Sequence, residues 1–402
     1  MRRREEIKML SKERKELVVE FCTKMIQARS YSGEEEQVVE LMSGFAKKWG
    51  FDSVHIDKYG NCIIGIKGNR PGPKVMFDGH MDTVPVPEPD KWHHDPFGAE
   101  IADGKMYGRG TSDMKGALSA MMAAAKNFTD DHGRDFAGEI VISGVVHEEC
   151  FEGVAAREIS AYVKPDYVII GEASECNIKV GQRGRGELVL ETFGVPAHSS
   201  NPEKGVNAVY KMADTIERLR KIEAPVHMVL GKGIMELTDI KSVPYPGASV
   251  VPEYCRATYD RRLLVGETKE SVLAPVQETL DEMSREDPQF KAKVSFARSE
   301  KECYTGEMIE GVRFFPGWLY DSNEEYIQAV LDEMHKLGFD PAITKYDFCT
   351  NGSHYAGEAG IKSLGIGPSR ENLAHTIDEY VEIEQLTKVT ECYYGVMTAL
   401  LK

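Results

Sequence analysis

Lys74-Val75-Met76-Phe77-Asp78-Gly79-His80-Met81-Asp82-Thr83-Val84-Pro85 runs from an apolar stretch through a glycine to an imidazole and a carboxylate two residues apart. In an extended chain, side chains at i and i+2 point to the same side. His80 and Asp82 therefore face one spot at the tip of a strand. That suits a metal ligand with its supporting acid, or a catalytic pair, and equally a strand that ends in a polar loop. The pattern recurs along the chain. The apolar runs 139–146 and 167–170 end in His147-Glu148-Glu149 and in Gly171-Glu172, and Asp113 follows the turn Tyr107-Gly108-Arg109-Gly110. Open α/β sheets carry their sites at the carboxyl ends of strands, so this recurrence predicts an α/β fold with one site assembled there.

Working outward, residues 12–29 space Leu17, Val18, Phe21, Cys22, Met25 and Ile26 as one buried helical face. Ser32 and Glu35 read as a Ser-x-x-Glu capping box for a second helix carrying Val38 to Trp49. A helix rich in alanine and methionine runs from Asp113 to about Phe128, with Met121 and Met122 as core and Asp113 at or near its N-cap. From about Gln182 the texture changes. Strands at 187–193, 226–241, 254–264 and 293–296 alternate with helices at 206–220 and 269–284. That order, β-α-β-β-α-β, predicts a ferredoxin-like α+β unit inserted at 183–305. The larger domain then comprises 1–182 and 306–402, a mixed sheet flanked by helices, with a closing helix at 382–401.

With 402 residues the chain can form two domains with well-buried cores. A net charge of −16 argues against nucleic acid and anionic membrane surfaces as partners, since both need positive charge. The eight cysteines are scattered with no Cys-x-x-Cys pair, which fits a reducing compartment and gives no zinc-ribbon spacing. The basic start, Met1-Arg2-Arg3-Arg4, is not followed by the apolar core of a signal peptide. No apolar run is long enough to span a bilayer. The expectation is a cytoplasmic protein.

Five motifs stand in order: Gly79-His80-Met81-Asp82-Thr83-Val84-Pro85; Tyr107-Gly108-Arg109-Gly110 leading to Asp113-Met114-Lys115-Gly116; His147-Glu148-Glu149; Pro196-Ala197-His198-Ser199; and Ala374-His375-Thr376-Ile377-Asp378-Glu379. Together they resemble the M20 family of dinuclear zinc peptidases and deacylases, and within it the YgeY-type hydrolases linked to selenium metabolism. The resemblance implies two Zn2+, replaceable by Co2+ or Mn2+. His80 and Glu172 would bind one, Glu149 and His375 the other, and Asp113 would bridge them. It implies Glu148 as general base, Asp82 behind His80 to fix its tautomer, and His198 as a lid histidine that stabilises the oxyanion in a partner subunit. It further implies that Asn207 and Arg262, with Arg261 inseparable from it in sequence, hold a substrate carboxylate. The implied substrate is a small amide or dipeptide-like molecule, and the implied assembly a homodimer formed through the inserted domain. Two rivals remain at this point: a mononuclear amidohydrolase of the same fold, and a metal-dependent binding protein without catalysis.

Overall fold

The computed structural model describes residues 10–401, so the basic start of the chain lies outside the described residues. The larger sheet has nine strands. Its spatial order runs Ser53–Ile56, Cys62–Lys67, Ala137–Val145, Arg70–His80, Tyr167–Ile170, Lys362–Gly365, Ile178–Gln182 and Trp318–Leu319, with Ile343–Tyr346 also paired to Ile178–Gln182. Arg70–His80 pairs in parallel with Ala137–Val145 on one side and with Tyr167–Ile170 on the other, and Tyr167–Ile170 pairs in parallel with Lys362–Gly365. These central strands are buried on both faces and read accordingly as continuous apolar runs.

Helix Lys115–His132 packs against the strand Arg70–His80 at the end that matters for function. A Cβ on Gly79 would come within 2.9 Å of Leu118 Cδ2 and Met114 Cε, and one on Gly171 within 2.3 Å of Met121 Cε. The glycines that precede His80 and Glu172 thus let the alanine-rich helix lie close beneath the strand tips. Met121 and Met122 are fully buried, as core residues should be.

The second sheet has the order Ile234–Val243, Tyr254–Leu263, Gly184–Phe193, Lys291–Phe296, all antiparallel. Helices Ala208–Leu219 and Lys269–Glu286 pack on it around a separate core that includes Leu188, Met212, Tyr259, Val276 and Phe290. This is the ferredoxin-like order expected from the sequence. The span 226–241 is not one strand, however. A small hairpin, Val226–His227 against Gly231–Lys232, precedes Ile234–Val243, because Gly231 turns the chain at φ +77°. Residue 305 falls within the hairpin formed by Arg298–Glu302 and Met308–Val312, and Phe314–Phe315 still pairs with Gly184–Phe193. The chain therefore returns to the larger sheet later than its composition suggests. No helix of the described residues is long and apolar enough to cross a membrane, and all eight cysteines are unpaired.

Candidate metal centre

Strands Ala137–Val145, Arg70–His80 and Tyr167–Ile170 lie side by side and direct their carboxyl ends to one place. Neighbouring strands are about 4.8 Å apart, so the side chains just beyond their tips converge. Ligand-type atoms of His80, Glu148 and Glu172 lie within 4.8 Å of one another, and so do those of His80, Asp113 and Glu149. Asp113 stands between two imidazoles. Its Oδ1 is 2.8 Å from His80 Nε2 and its Oδ2 is 3.1 Å from His375 Nε2. His375 Nε2 is also 3.0 Å from Glu149 Oε1, while Glu172 Oε1 lies 3.6 Å from His80 Nε2. The structure thus gathers all five sequence-predicted ligands, with Asp113 in the middle.

The protein's own charges are badly matched here. Burial, reinforced by neighbouring carboxylates, pushes Glu148 and Glu172 well above the usual carboxylate range. Burial beside Asp113 raises Glu149 to about 7. Burial also pushes Asp113 up, but the hydrogen bonds to His375 and His80 outweigh it and hold the carboxyl below its ordinary value. Hydrogen bonds to Asp113 and Glu149 raise His375 to about 10. Oε1 of Glu148 is buried with no protein partner. Buried nitrogen and oxygen donors crowded in this way, and holding protons that ligation would displace, are the donor set a divalent cation needs.

The residues matched to the family description Peptidase family M20/M25/M40 are 76–399, which span all of these groups. This chain belongs to that family. The M20 chain is 32% identical to the protein YgeY of Escherichia coli (strain K12) over 89% of its own length and 88% of the relative's. It is 27% identical to succinyl-diaminopimelate desuccinylase 2 of Ruegeria sp. (strain TM1040), over 93% of each chain. Its fold matches a dinuclear metal-binding M20 peptidase, the YXEP protein of Bacillus subtilis, with a TM-score of 0.73 at 11% identity, covering 97% of this chain and 99% of that one. Membership makes the protein a metallohydrolase acting on amide bonds.

Asp82 corrects the reading made from sequence. His80 Nδ1 lies 2.8 Å from the backbone carbonyl of Asp82 and 3.6 Å from its carboxylate, so the main chain fixes the imidazole. The carboxylate serves the other motif. Its Oδ1 accepts the backbone N–H of Glu148 at 3.0 Å, and its Oδ2 accepts that of Glu149 at 3.2 Å.

Two residues in quoted motifs gain a role that sequence did not give them. Glu379 is fully buried and accepts the backbone N–H groups of Gly110, Ser112 and Asp113 at 3.1, 2.8 and 3.1 Å, and it pairs with the buried Arg109. This pair holds the turn that presents Asp113. Glu379→Ala leaves the Arg109 charge buried and unpaired, so it is expected to cost about 3–5 kcal/mol, measurable by urea unfolding. The only signal in sequence was an Arg and a Glu lying in two motifs far apart.

The inserted unit sorts its candidates. Alternation along Tyr254–Leu263 sends Arg261 and Arg262 to opposite faces. Arg261 is buried, with Nη1 on the Ile234 carbonyl at 2.8 Å and Nη2 on Glu267 at 2.6 Å, so its guanidinium is committed within the unit. Arg262 is half-buried and contacts Asp260 through Nε at 3.1 Å. Asp260 meets Arg185 at 3.0 Å, and Arg185 meets Glu152 of the loop after Glu149 at 2.7 Å. Asn207 caps helix Ala208–Leu219, its Oδ1 accepting from Val209 and Tyr210 N–H. That oxygen is therefore already engaged. His198 is exposed on its loop. Its Nδ1 accepts the backbone N–H of Ser200 at 3.1 Å, which leaves the proton on Nε2.

Proposed function

We propose that the protein hydrolyses an amide bond, peptide or N-acyl, in a small carboxylate-bearing substrate, using two divalent cations, zinc first among them. His80 and Glu172 would hold one cation, Glu149 and His375 the other, with Asp113 shared. The observation that carries this reading is Asp113 reaching one histidine with each oxygen, beside a Glu148 whose Oε1 has no protein partner. Cations bound there supply Lewis acidity and a lowered pKa for attacking water. Glu148 accepts the proton of the attacking water and returns it to the leaving nitrogen. Its buried Oε1, engaged by no protein donor, is left open to receive that proton. Asp82 holds the backbone of Glu148 and Glu149 in place.

His198 supplies Nε2–H to the developing oxyanion of a partner subunit, and the contact of Ser200 with Nδ1 keeps the ring in the donating tautomer. His198→Ala is expected to lower kcat by about 10²–10³-fold with little change in KM, because the contact belongs to the transition state. Steady-state kinetics checks this, and a change in KM alone would assign His198 to binding. Arg262 receives the substrate carboxylate on its free Nη groups. The protein pairs as a homodimer through the inserted unit. There the edge strand Ile234–Val243 has a free side and carries the exposed apolar residues Ile234, Ile240 and Val243.

The test is a panel of N-acyl amino acids and dipeptides offered to zinc-loaded protein, with Glu148→Gln as the blank and metal counted per chain. Turnover by the wild type alone, with two ions bound, supports the reading. Full activity with one ion per chain would overturn its dinuclear part.

A further inference from the structure

Helix Glu36–Lys48 has Glu35 as its N-cap residue and no side-chain cap, so it begins about one turn later than the Ser-x-x-Glu spacing of Ser32 and Glu35 predicts. Both groups are turned to the metal centre instead. Ser32 Oγ donates to Asp82 Oδ2 at 2.6 Å. Glu35, fully buried, accepts through Oε1 the backbone N–H of His147 at 3.2 Å and of Gly33 at 3.0 Å. With the two N–H groups that Asp82 receives from Glu148 and Glu149, three consecutive backbone donors end on two buried carboxylates. The turn they hold is unfavourable by itself. His147 has φ +53°, which a residue with a side chain rarely adopts without support. The His147 ring is held as well, with Nε2 3.1 Å from the Glu302 carbonyl on the returning hairpin.

We propose that Glu35 is a positioning residue of the hydrolytic centre: with Asp82 it clamps the 147–149 turn, so that Glu148 faces the substrate and Glu149 the cation. The inference rests on the roles given above to Glu148 and Glu149. A helix left uncapped and a turn held against its backbone preference are two local rules broken by the same residues. Such breaks gather at functional sites, where a supporting contact elsewhere sustains them. The consequence for catalysis is large, since misplacing a catalytic group by about 1 Å costs on the order of 10²-fold in rate.

Two substitutions in the full chain separate the clamp from mere filling of space. Glu35→Met occupies similar volume and accepts no hydrogen bond, whereas Glu35→Gln keeps an acceptor oxygen toward His147. Amide hydrogen exchange over 147–151 reads the clamp directly and needs no turnover. Calorimetric zinc titration and steady-state kinetics read its effects. Glu35→Met is expected to speed exchange at 147–149 by about tenfold or more while the central strands stay protected. It should lower kcat by about 10–100-fold with KM little changed, and weaken the second zinc. Glu35→Gln is expected to bring all three readouts back near wild type. Unchanged exchange in Glu35→Met overturns the proposal, as does a folded Glu35→Gln impaired as deeply as Glu35→Met. If Glu35→Met does not fold, Glu35→Gln decides alone: retained protection and kcat support the clamp, and their loss overturns it. Since exchange is independent of the reaction, a failure of the clamp is distinguishable from a failure of Glu148 as base.

Discussion

Glu148→Gln is expected to bind zinc like the wild type and to lose about 10²–10⁴-fold in kcat. The amide matches the carboxylate in size, and the backbone N–H of residue 148 still reaches Asp82, so the turn keeps its shape. What disappears is the group able to take a proton from water and deliver it to the leaving nitrogen. The metal count is decisive because His80, Glu148 and Glu172 lie within ligand distance of one another. If Glu148 were itself a ligand, the variant would lose an ion as well as activity. Activity within about tenfold of wild type would remove it as the base. Kinetics and elemental analysis on the same preparation give both answers.

Asp113→Asn is expected to abolish turnover and to release at least one cation. Asp113 is the group shared by both halves of the cluster, one oxygen toward His80 and the other toward His375. Asparagine leaves a single oxygen and places an N–H2 against one imidazole. It also removes the charge best able to remain ionised there, since the two histidines hold this carboxyl low. Thermal unfolding with and without zinc checks this. Bound metal stabilises the native state in proportion to RT ln(1 + [L]/Kd), so the zinc-dependent rise in Tm seen for wild type should shrink in the variant. Two ions retained after dialysis, with the full rise in Tm, would show that Asp113 does not join the sites.

Much of the site was legible because its signals are local. A glycine that admits a packed helix, followed at once by a ligand-type residue, marks both Gly79-His80 and Gly171-Glu172. The Ser-x-x-Glu signature at Ser32 and Glu35 misled for the same reason. It is a sound local rule, overridden by the His147 N–H and by Asp82, which only folding brings near. Arg261 and Arg262 could not be ranked until pairing with Gly184–Phe193 and Ile234–Val243 fixed which face was buried.

The sequence by itself determined the architecture and where the candidate site residues stand: apolar runs ending in His80, Glu148-Glu149 and Glu172, and a β-α-β-β-α-β order within the insert. Those follow from periodicity and chain direction, which neighbouring residues specify. The tertiary structure alone decided which atoms meet. Alternation could place the Asp82 side chain toward His80, yet the Asp82 carbonyl lies nearer the ring, and the carboxylate serves a turn 66 residues away. Glu379 likewise closes on Ser112 across 267 residues. A buried carboxylate must find donors wherever the fold brings them, and no spacing along the chain encodes that choice.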